Sequence, residues 1–247
     1  MKIFDDYVNN FDMNLDGIYL KYYHSYRVQD IACNIAKSLD YNEKDYNLVS
    51  ICGLFHDIGR FEQFQKYQSF DDHKTIDHGD LGYEILKQGM INELGLDDEE
   101  KEILLMSTKY HNKYAVDKDI KGRMLDICNV IRDADKIDII NLFSSKVISK
   151  GLLEGDLNVS EKCHEEFMNH KQIVWTDVKT NADRILVYLG FIWDFNYRES
   201  FKILKERKLY TEIKDIVKSP LFDKYFQMID EKIKEELKWM QNIIMKK

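Results

Sequence analysis

A single proline, Pro220, in 247 residues leaves little to interrupt helices along this chain. Proline and glycine are the residues that most reliably break or turn a backbone, and glycine adds only 11 positions. Between these rare breaks the apolar residues recur with a helical period. Val28, Ile31, Ala32, Ile35, Ala36 and Leu39 fall on one face of a helix within residues 22–40. Asn42 reads as the N-cap of a second helix, with Asp45 in a weaker form of the capping box. That helix is expected to run through LVSICGLFHDIG and to end at Gly59. Residues 61–77, FEQFQKYQSFDDHKTID, read as an irregular connection. A helix is predicted to resume near Asp77, another to cover 97–110, and a long inner helix to lie within 122–146. Residues 151–178 look loop-rich, and NADRILVYLGFIWDFNYRESFKILKERK reads as one apolar, aromatic helical stretch. Pro220, after Ser219, fits the first turn of a last helix reaching about Gln241. The fold class expected is all-α.

Composition narrows the function. Hydrophobic residues at 44% suffice for a sizeable core. A net charge of −8 argues against a nucleic-acid polymer as partner, because holding its phosphates requires a basic surface. It leaves room for a small anionic substrate, since a bound divalent metal can reverse the local field. No run of about 18 apolar residues points to a membrane span. The opening MKIFDDYVNN does not resemble a signal peptide. Cys33, Cys52, Cys128 and Cys163 are widely spaced with no CxxC. A cytoplasmic setting is the expectation.

Three pieces carry chemistry: His24, the adjacent His56–Asp57, and the pair Asp133 and Asp135 on the long helix. Imidazole and carboxylate together suit Zn, Fe, Mn or Co. Asp57 follows the apolar run from Ile51 to Phe55, where a carboxylate is costly to desolvate without a partner. A metal is one such partner and an arginine another. Neighbouring side chains on a helix diverge by about 100°, yet both can reach an ion between them. Asp57 has a second oxygen with which to share a second ion. His78 opens one predicted helix and His111 closes another, where a side chain can point into a cleft. The plainer alternatives are that Asp133 and Asp135 pair with Arg132, Lys136 or Arg27, and that His73, His164 and His170 are ordinary core or surface residues.

The order H…HD…D, with HSYRV around His24, HDIGR around Asp57 and RDADKID around Asp135, resembles the HD superfamily of metal-dependent phosphohydrolases. The resemblance covers roughly residues 20–145. It implies an HD-domain helical bundle there; the last hundred residues are not explained by it, and their own pattern reads as a helical extension of about 150–247 packed on the bundle in one domain. His78 and His111 resemble the extra ligands of two-metal members, such as bacterial diadenosine tetraphosphate hydrolases. Carried over by position, the first metal takes His24, His56, Asp57 and Asp135. The second takes His78 and His111, with Asp57 bridging. Asp135 is preferred to Asp133 because the family places its ligand in an Ala-Asp-(Lys/Arg) step; Asp133 then orients a ligand histidine. The text after His111 reads NKYAV, which departs from the HD-GYP pattern and disfavours cyclic-di-GMP as substrate.

The resemblance also implies a reaction. A metal-activated hydroxide attacks the phosphorus of a nucleotide or related phosphate ester or anhydride, in a site holding one or two ions of Fe, Mn, Zn, Co or Ni, with Mg a further candidate. Asp57, Arg60 and Lys136 are the candidate catalytic residues, and Arg27, Arg60 and Lys136 the candidate phosphate ligands. For all three cations a plain salt bridge is the alternative. The alternative for the whole chain is a regulatory or scaffold module that keeps its metal with little turnover. Tyr188, Phe191, Trp193, Phe195 and Tyr197 read as core, with a homodimer face or a substrate lid as the other options.

Overall fold

The computed structural model describes residues 2–147, 151–154 and 158–244. Among them are twelve α-helices, a few short 3₁₀ turns and no strand. The chain divides into two compact units, 1–135 and 136–247.

The first unit begins with α1 (Lys2–Val8), α2 (Asp16–Ser38) and α3 (Glu43–Phe55). It continues through α4 (Gly59–Tyr67), α5 (His78–Lys87) and α6 (Asp98–Tyr110). α2 packs along α3, α3 against α6, and α5 against both α4 and α6. The stripe Val28, Ile31, Ala32, Ile35 and Ala36 is fully or almost fully buried, and His24 continues it one turn toward the N-terminus. That placement is what turns His24 inward. Phe4 of α1 meets Phe55 and Phe61 edge-on, and Asp5 accepts hydrogen bonds from Tyr22 and Tyr26, so α1 closes one end of the bundle.

Several helix starts are locally encoded. The side chains of Asn42, Asp77 and Asp97 each accept from the backbone N–H three residues on, and Asp97 with Glu100 completes a capping box. The helix expected to end at Gly59 instead ends at Phe55. A tight turn through His56–Ile58 follows, and Gly59 starts α4. Residues expected to be irregular from Phe61 are therefore helical as far as Tyr67. The glycine is needed for a different reason than helix termination. A Cβ there would lie 2.3 Å from the His78 carbonyl oxygen and 2.7 Å from the Gly82 nitrogen, so α5 crosses α4 at backbone contact.

α7 (Gly122–Ser144) carries Asp135 and runs across the division between the units. The second unit continues with α8 (Glu161–Met168), α9 (Asn181–Gly190), α10 (Arg198–Glu206), α11 (Leu209–Val217) and α12 (Asp223–Ile244). α8 lies inside the stretch expected to be loop-rich. The single helical stretch expected after it is split between α9 and α10 by a 3₁₀ turn at Phe191–Asp194 and extended backbone at Phe195 and Tyr197. Pro220 opens a 3₁₀ turn that leads into α12. His164 bonds to the Tyr225 hydroxyl and His170 stacks on Trp193, both structural roles.

Candidate metal centre

His24, His56, Asp57, His78, His111 and Asp135 converge within the first unit, and each is at most 9% exposed. They come from α2, the turn after α3, the first residue of α5, the residue closing α6, and α7. The two oxygens of Asp57 divide the imidazoles into pairs. Oδ2 lies 3.3 Å from His24 Nε2 and 3.6 Å from His56 Nε2. Oδ1 lies 3.3 Å from both His78 Nε2 and His111 Nε2. Asp135 Oδ1 closes the first group, 3.1 Å from His24 Nε2 and 3.6 Å from His56 Nε2. Two overlapping donor sets with metal-ligand spacing result: His24, His56 and Asp135, and His56, Asp57 and His111.

Hydrogen bonding on the far side of each ring decides what these nitrogens offer. His56 and His111 give Nδ1–H to the carbonyls of Gly53 and Thr108, each at 2.7 Å. A carbonyl can only accept, so in the neutral ring Nε2 is a bare lone pair. His78 gives Nδ1–H to Asp72 at 2.6 Å, with the same consequence. Yet His78 Nε2 and His111 Nε2 stand 2.9 Å apart, and His24 Nε2 and His56 Nε2 3.3 Å apart. The lone pairs that His78 and His111 turn to each other repel at that distance unless a cation or extra protons stand between them. The donor set therefore fits divalent metal, with imidazole and carboxylate and no thiolate. Cys52 and Cys128 are buried, which pushes each thiol up to about 12.

Electrostatics agree with this reading. Burial opposes ionisation of Asp57, but the Lys21 ammonium, with the imidazoles of His56, His111 and His24 around it, outweighs that cost and holds the carboxyl well below its usual range. Burial likewise opposes ionisation of Asp135, and His24 and His56 reverse the balance. Burial, reinforced by the neighbouring His78 and His56, lowers His111 to about 4 against the pull of Asp57.

All three shifts make the metal-free chain acid-labile. An unfolded chain protonates His111 near its ordinary 6.5 while the folded chain resists until about 4. Stability therefore falls as the pH drops through that window, by about 3 kcal/mol from this group. The carboxylate contributions are present above the ordinary 3.8 and are lost below it. Thermal melts of metal-free protein from pH 7 to 4.5 should show a falling midpoint; a flat profile would contradict the burial of a neutral His111.

The remaining predicted residues lie as follows. Arg60 Nη1 bonds to Gln63, the Phe70 carbonyl and Asp72 at 2.7, 2.8 and 2.9 Å, while its Nε, buried without a hydrogen-bond partner, is 3.7 Å from Asp57 Oδ1. Arg27 lies one turn beyond His24 on α2 and is half-buried. Asp133 is fully buried on α7, and it is Asp135 that meets His24 and His56. The Lys136 ammonium pairs with Asp194 at 2.7 Å, so for this residue the salt-bridge alternative is the arrangement seen.

Three residues beside the centre were not read from the sequence as part of it: Asp72, which accepts from His78 Nδ1, Lys21 and Arg132. Lys21, one turn before His24, places Nζ 2.6 Å from Asp57 Oδ2. The i, i+3 spacing to His24 was the available signal. Arg132 donates to the carbonyls of Tyr110, Lys113 and Tyr114 at 2.9, 2.6 and 3.3 Å, capping the end of α6 beside His111. Nothing in the sequence pairs an arginine with carbonyls twenty residues earlier. Arg132→Ala strips this cap of part-buried bonds, and a hydrogen bond to a charged group is worth about 1.5–3 kcal/mol. The variant should lose about 3 kcal/mol in urea unfolding; a midpoint equal to the parent's would mean that water replaces the guanidinium.

Residues 22–140 match the family model of the HD domain. The chain carries an HD domain over these residues. Neither the curated proteins nor the solved structures returned a match. The matched span contains all six converging residues, and HD-domain proteins are in general metal-dependent phosphohydrolases.

Proposed function

We propose that this HD-domain protein hydrolyses a nucleotide or related phosphate ester or anhydride with two divalent cations, of the class Mn, Fe, Co, Ni or Zn. The observation that carries the reading is the division of four imidazoles into pairs by the two oxygens of Asp57. His24, His56, Asp57 and Asp135 would hold one ion, and Asp57, His78 and His111 the other. Divalent cations in such a site supply Lewis acidity, lowering the pKa of water and offsetting charge on phosphoryl oxygens.

The chain's own groups do the rest. Burial keeps His111 neutral and thus a ligand rather than a competing cation. Asp57 and Asp135 are held well below the usual carboxylate range, so near neutral pH they need no deprotonation before binding a cation. Lys21 and Arg60 flank Asp57, each also facing the Phe70 ring, at 5.6 and 5.4 Å. Once cations satisfy Asp57, these two groups are the positive charges placed to bind substrate phosphate and hold it in line.

A panel of nucleoside mono- and polyphosphates, dinucleoside polyphosphates and guanosine tetraphosphate, assayed with Mn, Fe, Co and Ni, tests the reading. Metal-dependent release of phosphate or nucleotide from a subset of the panel is expected. Stoichiometric metal with no turnover on any member would favour a regulatory module instead.

A further inference from the structure

Asp72 lies between α4 and α5, and its two oxygens have different partners. Oδ1 accepts from Arg60 Nη1 at 2.9 Å and from Gln63 Nε2 at 2.8 Å. Oδ2 accepts from His78 Nδ1 at 2.6 Å and from Asn112 Nδ2 at 3.3 Å. The surrounding connection is irregular but tied down. The fully buried Gln63 also donates to Thr75 Oγ1 and the Ile76 carbonyl, each at 2.9 Å, and Thr75 donates to the Asp71 carbonyl at 2.8 Å. Asp72 is therefore held in place from several sides.

An imidazole that gives Nδ1–H to a carboxylate is fixed in tautomer and orientation and is more basic at Nε2. His56 and His111 give theirs to neutral backbone carbonyls, whereas His78 gives its proton to a charged group. The same carboxylate holds the guanidinium of Arg60, whose Nε faces Asp57.

We propose that Asp72 is a positioning residue that strengthens His78 as a metal ligand and ties the Asp57–His78–His111 half of the centre to the phosphate-facing Arg60. It acts through His78 and Arg60, with no contact of its own to the reacting atoms. The proposal rests on the two-cation reading above. It predicts that the halves of the centre respond unequally to loss of this one charge.

The test is calorimetric titration of the metal-free chain with Mn²⁺, together with imidazole proton–nitrogen NMR spectra. The parent should bind two ions. Asp72→Asn, which keeps the shape and removes the charge, should bind one ion as the parent does and the other about 10- to 100-fold more weakly. The His78 Nδ1–H resonance should move upfield in that variant while the His111 resonance stays in place. Asp71→Asn, at an exposed pair with Lys74, should change neither ion.

Parent-like affinity for both ions in Asp72→Asn, or equal weakening of both, overturns the proposal and leaves the two-cation reading standing. A parent chain that binds fewer than two ions overturns both. Should Asp72→Asn lose its helical signal, the parent spectrum decides, because absence of a low-field His78 Nδ1–H resonance there overturns the proposal.

Discussion

Asp57→Ala is expected to remove both cations and to lower hydrolysis by about three orders of magnitude or more, with the helical signal retained. Asp57 is the one residue that faces both imidazole pairs, one oxygen to each. Its loss leaves three ligands for the first ion and two imidazoles for the second. Lewis-acid stabilisation of the reacting phosphoryl group is worth several kcal/mol, and each 1.4 kcal/mol is tenfold in rate. Removing Asp57 leaves the Lys21 ammonium without this partner, a loss of about 3–5 kcal/mol against the roughly 5–15 kcal/mol by which a domain is usually stable, so the helical signal should survive. Metal analysis by mass spectrometry with a matched hydrolysis assay reads both effects. Turnover at the parent rate would remove Asp57 from the centre altogether.

Gly59→Ala is expected to disturb both the fold and the centre. The added methyl would stand 2.3 Å from a carbonyl oxygen and 2.7 Å from an amide nitrogen, both backbone atoms of α5 that no rotamer change can move. Overpacking of this kind costs about 1–3 kcal/mol, and the upper end is expected where backbone must shift. The carbonyl that must retreat belongs to His78, so the same substitution should also weaken the second cation. Urea unfolding and a Mn²⁺ titration of the variant measure the two losses. Parent-like stability would show that α4 and α5 can separate without penalty.

The two predictions show which parts of the molecule were legible in the sequence. His24, His56, Asp57 and Asp135 were readable because each sits in a short motif whose order survives without coordinates. Asn42 announced its helix because a cap acts through a backbone N–H three residues on, a purely local event, and Asp77 and Asp97 cap in the same way at starts that were read without naming a cap. Gly59 was misread for the opposite reason. Its role is set by a helix nineteen residues later in the chain, and a glycine that permits close approach reads like one that ends a helix. Lys21, Asp72 and Arg132 escaped on the same ground. Each acts on residues brought near only by tertiary packing, and Asp72 lies in a connection with no periodicity to mark it. α8 was hidden by its length, since Glu161–Met168 is barely two turns.

The central claim is that six side chains from five places in the first unit surround two divalent cations bridged by Asp57. Crystals of the chain grown with Mn²⁺ and measured at the manganese absorption edge test it most directly. Two anomalous peaks are predicted, one among His24, His56, Asp57 and Asp135 and one among Asp57, His78 and His111. An absence of anomalous signal inside the cluster, with Lys21 still bonded to Asp57, would contradict the account.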